Sequence, residues 1–400
     1  VMEFADGGDV ATKIKENKKN DEFFKEETMK KNINRILSFV LALMMVLSLT
    51  ACGQTPAGGN NDSATQEIVD MAGRTLTIPA NVEKGMGNNA MAQNFMYTLA
   101  PEKMSSLGSK PSEGEQHFYL DSVKDLPILG DNSGKKVMNP EEVIAAAPDF
   151  ILHVTMISDE VVAKADELQQ QLNIPIVIVS ADLADLGDSY RFVGEIIGCE
   201  KQAKKLAKYA DEVVSDIAAR AATIPEESRV SYYYAEGDDG LKTDPSGSDH
   251  TRAFDAVGAV NCVTMESYDT YYGRAGISME EIMNLDPDVV IFCPGDSIFT
   301  PDATSICQDL MDGKEVGSWQ TLKAVKEGKF YEAPYGLANA IDRPATVNLL
   351  YGCQWLGNLL YPDVYNYDMA KVTKDFYSLF YHYDLSDAEV DTILSRATVR

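Results

Sequence analysis

Arg274 and Arg343 are the side chains best suited to recognition chemistry in this 400-residue chain. A planar guanidinium fork matches carboxylate, catecholate or phosphate oxygens two at a time. Aromatic surface stands near each: Tyr271-Tyr272-Gly273 runs into Arg274, and Pro334-Tyr335-Gly336 comes shortly before Arg343. Further upstream, Gly85-Met86-Gly87 leads into Asn88 and Asn89 at the start of a helical pattern. Glycines there permit close approach, and the two amides can donate to anionic oxygens. Asn88, Asn89, Tyr271, Arg274, Tyr335 and Arg343 are therefore the candidate ligand set, fitted to a bulky, partly apolar, partly anionic complex. Arg343 suits a buried salt bridge equally well. The lone His153 reads more readily as structural than as a ligand.

Catalytic signals are missing. Gly130-x-x-x-Gly134-Lys135-Lys136 is one residue short of a phosphate loop and lacks its Ser/Thr. There is no H-E-x-x-H, G-x-S-x-G or G-x-G-x-x-G. His117, His153, His250 and His382 are scattered, which does not suit a site for bare zinc or manganese. We expect a binding protein with no catalytic residues, no resident metal and no cofactor. Thirty-five basic against 62 acidic residues give a net charge of −27, which repels phosphate backbones and excludes nucleic-acid binding. At 45% hydrophobic and 24% charged the chain can bury a sizeable core.

The amino-terminal region reads as an address. Met29-Lys30-Lys31 and Arg35 form a basic head, followed by the uncharged run Ile36–Thr50, too short for an untilted spanning helix of about 20 residues. Leu49-Thr50-Ala51-Cys52-Gly53 resembles a bacterial lipobox, whose cysteine is acylated after cleavage. The expected order is an upstream extension over 1–28, a signal peptide over 29–51, Cys52 as lipid acceptor and a Gly/Asn/Pro tether over 52–66. That puts the protein at the outer face of the cell membrane. Of the other five cysteines no pair has zinc-ribbon spacing, and buried free thiols are expected.

Beyond the tether, β-rich runs at 150–154, 174–180, 230–235, 289–292 and 330–333 alternate with helical patterns, an α/β signature. One apolar stripe, from Ala203 through Leu206, Ala210 and Val213 to Ile217, predicts a single long helix over 200–222. Glu141–Leu152 also aligns without gaps to Glu280–Ile291, 139 residues later. Each copy reads as a short helix, a Pro-Asp turn and a buried strand. Asn139-x-x-Glu142 and Ser278-x-x-Glu281 both predict capping boxes. Glu141 and Glu280 are then left pointing outward at equivalent places, suited to a two-fold partner or simply to solvated helix starts.

These stretches together resemble the substrate-binding proteins of ABC importers for ferric siderophores, cobalamin and haem. The resemblance rests on Val69–Pro79, the two Glu-Glu…Pro-Asp segments, Trp319–Tyr331 and Asp342-Arg343-Pro344 with Trp355 and Tyr361-Pro362. It implies an α/β fold of two Rossmann-like lobes joined by a single long α-helix. The lobes are expected over 67–187 and 225–400, with the helical segment over 188–224 and the ligand cleft between the lobes. It further implies that Glu141 and Glu280 dock on arginines of a permease dimer with its ATPase subunits, and that the cargo is an iron complex or related chelate. A sensor's ligand-presenting lipoprotein, an oxyanion receptor and a chelatase-like or nitrogenase-like enzyme are the alternatives.

Overall fold

The computed structural model describes residues 64–132, 136–264 and 274–397. The extension, the signal segment, Cys52 and Tyr271 lie outside the described residues. The described residues belong to one compact unit.

The first lobe opens with the hairpin β1 (Thr65–Val69) and β2 (Thr75–Pro79), paired antiparallel. Its turn places Gly73 at φ +80°, a conformation that suits glycine. Asp70 accepts from the Ile178 amide and pairs with Arg74 at 2.7 Å, tying the hairpin to the sheet beside it. That sheet is parallel, in the order β3 (Gly85–Gly87), β4 (Phe150–Thr155), β5 (Ile176–Ser180). Helices α1 (Ala90–Leu99), α2 (Glu113–Gln116), α3 (Pro140–Ala146) and α4 (Asp159–Leu172) connect its strands.

Side chains on β4 and β5 alternate between two apolar layers. Phe150, Leu152, Val177 and Val179 face one, and Ile151, Ile176 and Ile178 face the other. A strand buried on both faces reads as a continuous apolar run, which is what the sequence holds here.

Helix α5 (Leu186–Ile196) turns at Gly198, φ +72°, into α6 (Glu200–Ala221), the long connecting helix, about 33 Å at 1.5 Å per residue. Its buried positions are Ala203, Leu206, Ala207, Ala210, Val213 and Ile217, the expected stripe plus Ala207. The two helices nearly touch at Gly194, where a Cβ would lie 2.2 Å from that of Ala203. The second lobe carries a four-stranded parallel sheet in the order β11-β10-β6-β8. In chain order its elements are β6 (Ser231–Ala235), the two-residue β7 (Lys242–Thr243), α7 (Arg252–Ala256), β8 (Val260–Asn261), the two-residue β9 (Ala275–Gly276), α8 (Met279–Leu285), β10 (Val289–Phe292) and β11 (Phe330–Glu332). Tyr232 and Tyr234 face the core layer that continues across α6 into the first lobe, while Tyr233 faces the outer layer. The tyrosine run is thus core, fully buried, and not ligand surface. Helices α9 (Asn348–Leu360), α10 (Met369–Phe380) and α11 (Asp387–Leu394) complete the chain. They touch both lobes: Tyr97 donates to the Tyr381 carbonyl at 3.2 Å and His382 to the Tyr97 carbonyl at 3.0 Å.

The sequence repeat is a structural repeat. Val143 and Ile282 are the buried anchors of α3 and α8. Ala147 and Asp286 end them in matched left-handed conformations, φ 47° and 42°. The turn aspartates shared by the two copies then capture the neighbouring strand: Asp149 accepts from the amides of Glu83 and Lys84, and Asp288 from the amide and hydroxyl of Ser231. One expectation fails. Ser278 and Glu281 form the full capping box, but Asn139 caps the Glu141 amide alone. Glu142 instead pairs with Lys136 at 2.9 Å, because an accessible cation sits within its reach.

Candidate ligand-binding site

In parallel sheets the loops at the carboxyl ends of strands form the binding edge. On the second lobe that edge carries a buried ionic cluster. Glu236 directly follows β6, Asp244 follows β7, His250 precedes α7, Arg274 precedes β9, and Asp342 and Arg343 lie in the loop before α9. The three carboxyl side chains have no solvent exposure, whereas the guanidinium side chains of Arg274 and Arg343 are 37% and 29% exposed. Acids lie beneath and cation tips lie above.

The contacts are specific. Glu236 Oε1 accepts from Arg274 Nε at 3.0 Å and from Arg343 Nη2 at 2.5 Å. Arg343 Nη1 bonds Asp342, and Nη2 stands 3.6 Å from Asp244. Asp342 also accepts from the Tyr234 hydroxyl at 2.7 Å and stands 3.1 Å from His250. Asp244 accepts from the Ser248 hydroxyl at 2.8 Å. Asp244, His250 and Asp342 converge closely enough for one cation to touch all three, and the cation that does so is the Arg343 guanidinium. This convergence was not expected from four histidines scattered along the chain. Burial pushes the Glu236 carboxyl up to about 9, reinforced by Asp342 and Asp244 against the pull of Arg343. Asp342 is held below the usual carboxylate range: its burial acts upward, and Arg343 and His250 outweigh it. Burial also raises the Cys293 thiol, at the end of β10, to about 12.

On the first lobe the predicted amides are occupied internally. Asn88 Oδ1 meets His153 Nδ1 at 2.8 Å, and burial lowers that imidazole to about 4. Asn89 caps α1 through the Ala92 amide and donates to the Val154 carbonyl at 2.9 Å. Both asparagines are buried. Tyr335 crosses the cleft, donating to Glu115 of α2 at 2.6 Å. Arg252 bridges the lobes as well, donating to the carbonyls of Ala181 and Ala345, each at 2.7 Å. The structure therefore brings Arg274 and Arg343 together, and leaves Asn88, Asn89 and Tyr335 holding the protein itself. Sequence reasoning missed Glu236, Asp244, Asp342 and Glu115. The signal for two of them was present: an acid immediately after a buried strand, and an acid beside Arg343.

Glu141 and Glu280 are both exposed near the starts of α3 and α8. Ile144 and Met283, at matched positions one turn on, are 49% and 47% exposed.

The family model for periplasmic binding proteins matches residues 120–335, more than half of the chain. Among solved structures, an ABC transporter solute-binding protein from Sulfurospirillum deleyianum superposes with a TM-score of 0.74 at 25% identity, over 82% of this chain and 99% of that one. A periplasmic solute-binding protein from Veillonella parvula gives 0.66 at 23% identity, over 84% and 98%. The molybdate-bound periplasmic binding protein MolA of Haemophilus influenzae gives 0.60 at 21% identity, over 80% and 99%. No curated protein matches the chain in sequence. These relatives bind solutes for transport and are not enzymes. With two α/β lobes and one connecting helix, the chain belongs to the periplasmic binding protein family, as a substrate-binding protein of the ABC-importer kind.

Proposed function

We propose that this protein is the lipid-anchored, extracytoplasmic receptor that delivers a metal complex bearing anionic groups, with a ferric siderophore or a haem- or cobalamin-type chelate as the leading class, to an ABC permease dimer and its ATPase subunits. The observation that supports an anionic ligand is the pair Arg274 and Arg343, whose side chains stay partly exposed while buried acids hold them. A guanidinium pre-oriented in this way loses little freedom on binding. A second reading, a simple oxyanion, is favoured by the likeness to a molybdate-bound relative. Exposed Glu141 and Glu280, each with an apolar neighbour one turn on, support docking on a partner with basic residues and two-fold symmetry. Cys52 is the proposed lipid acceptor, to be checked by detergent-phase partition of the wild type against Cys52→Ser.

The experiment is a thermal-shift panel on residues 64–400 with ferric siderophores, haem, cobalamins, molybdate and phosphate. Binding to the native state alone stabilises by mass action, so one class should raise Tm by several degrees. Selective stabilisation by a compound with no anionic group would sink this reading.

A further inference from the structure

The charge count of the cluster is uneven. Three fully buried carboxyls, Glu236, Asp244 and Asp342, face two guanidiniums, Arg274 and Arg343. Glu236 Oε1 is engaged by both arginines, but among the described residues its buried Oε2 meets no N–H or O–H donor. The Glu236 carboxyl neighbours that of Asp244, because Arg343 Nη2 reaches both, at 2.5 and 3.6 Å. Two carboxylate oxygens attract each other only through a proton. Placing one there satisfies Oε2 and leaves two negative charges matched by two arginines.

We propose that Glu236 and Asp244 share a proton taken from solvent, and that the cleft binds its anion only while that proton is present. Glu236 is thus a positioning residue, acting on the ligand through Arg274 and Arg343. This deepens the receptor reading and rests on it. With the proton gone, a third buried carboxylate leaves the site net negative beneath the guanidinium tips, and an incoming anion is opposed. Among the described residues, the other groups that face this pair are His250 and Asp342 on their loops, Tyr232, Tyr233 and Tyr234 on β6, and Cys293 after β10. Burial raises the tyrosines and the thiol, so they stay uncharged where Glu236 titrates. The elevation of Glu236 to about 9 is consistent with a resident proton at neutral pH.

The test has two arms. Infrared spectra of the ligand-free wild type minus Glu236→Gln should show a protonated-carboxyl band at neutral pH, which vanishes as the pH rises. Absence of that band overturns the shared proton. Calorimetry with molybdate and with a ferric tricatecholate then follows affinity from about pH 6 to about pH 10. The wild type should hold a plateau and then lose about tenfold per pH unit once the proton leaves. Glu236→Gln, whose amide keeps an acceptor for the arginines and a donor for Asp244, should lack that loss and bind at least tenfold tighter than wild type at the alkaline end. Asp244→Asn serves as the second variant should the first not fold. Equal pH profiles in wild type and variant overturn the coupling alone. If neither anion binds at any pH, the anionic-receptor reading falls together with the coupling, while the infrared band still reports on the proton.

Discussion

At the scale of the residue, Arg343 plays both parts that its sequence context allowed. It pairs with Asp342, Glu236 and Asp244, and it keeps part of its side chain exposed. Arg343→Ala should therefore cost both ligand affinity and about 2–4 kcal/mol of stability, since buried acids lose their counter-ion. Partial exposure places this at the lower side of the usual range. Arg274 touches Glu236 from a more exposed position, so Arg274→Ala should weaken anion binding with a smaller change in Tm. Denaturant melts and calorimetry on both variants check the contrast; equal stability losses would refute it. Glu236 also sets a pH slope. Its carboxyl titrates near 4.5 when unfolded and up to about 9 in the fold, so folding takes up a proton between those values. That contribution is full below about 4.5 and is lost as pH rises through about 9, and Glu236→Gln should flatten it.

At the scale of the element, the repeat shows why a short motif recurs. The Pro-Asp turn ends a helix, starts a strand and lets its carboxylate clamp the strand next door. Asp149→Ala and Asp288→Ala should each cost about 1–2 kcal/mol, the range for hydrogen bonds to a charged, partly exposed acceptor. Chemical denaturation measures it, and an effect in only one lobe would break the equivalence. The capping boxes, by contrast, were over-read at one copy. Local pattern predicts which side chains can cap, but Lys136, three residues outside the motif, took Glu142 away.

At the scale of the molecule, the two lobes share one apolar layer through α6, and Tyr335–Glu115 and Arg252 connect them directly. Glu141 and Glu280 lie one on each lobe, near the starts of α3 and α8. Reversing both to lysine should abolish uptake in cells while leaving ligand affinity unchanged. Loss of affinity in the purified double variant would show that these acids serve the cleft rather than docking.

The parallel strands, the long helix and the duplicated helix–strand unit were legible in the sequence, because burial on one face or both writes a local period into the chain. Composition alone does not separate a doubly buried aromatic strand from an aromatic ligand wall; Tyr232, Tyr233 and Tyr234 are core. The site was legible only as two arginines. Glu236, Asp244, His250, Arg274 and Asp342-Arg343 come from separate loops more than 100 residues apart at the extremes, and Tyr335 meets Glu115 across 220 residues of chain. No local period records such pairings. Which charges neutralise one another, and which amides are left for a ligand, is decided by sheet order and lobe packing, and so by the tertiary structure alone.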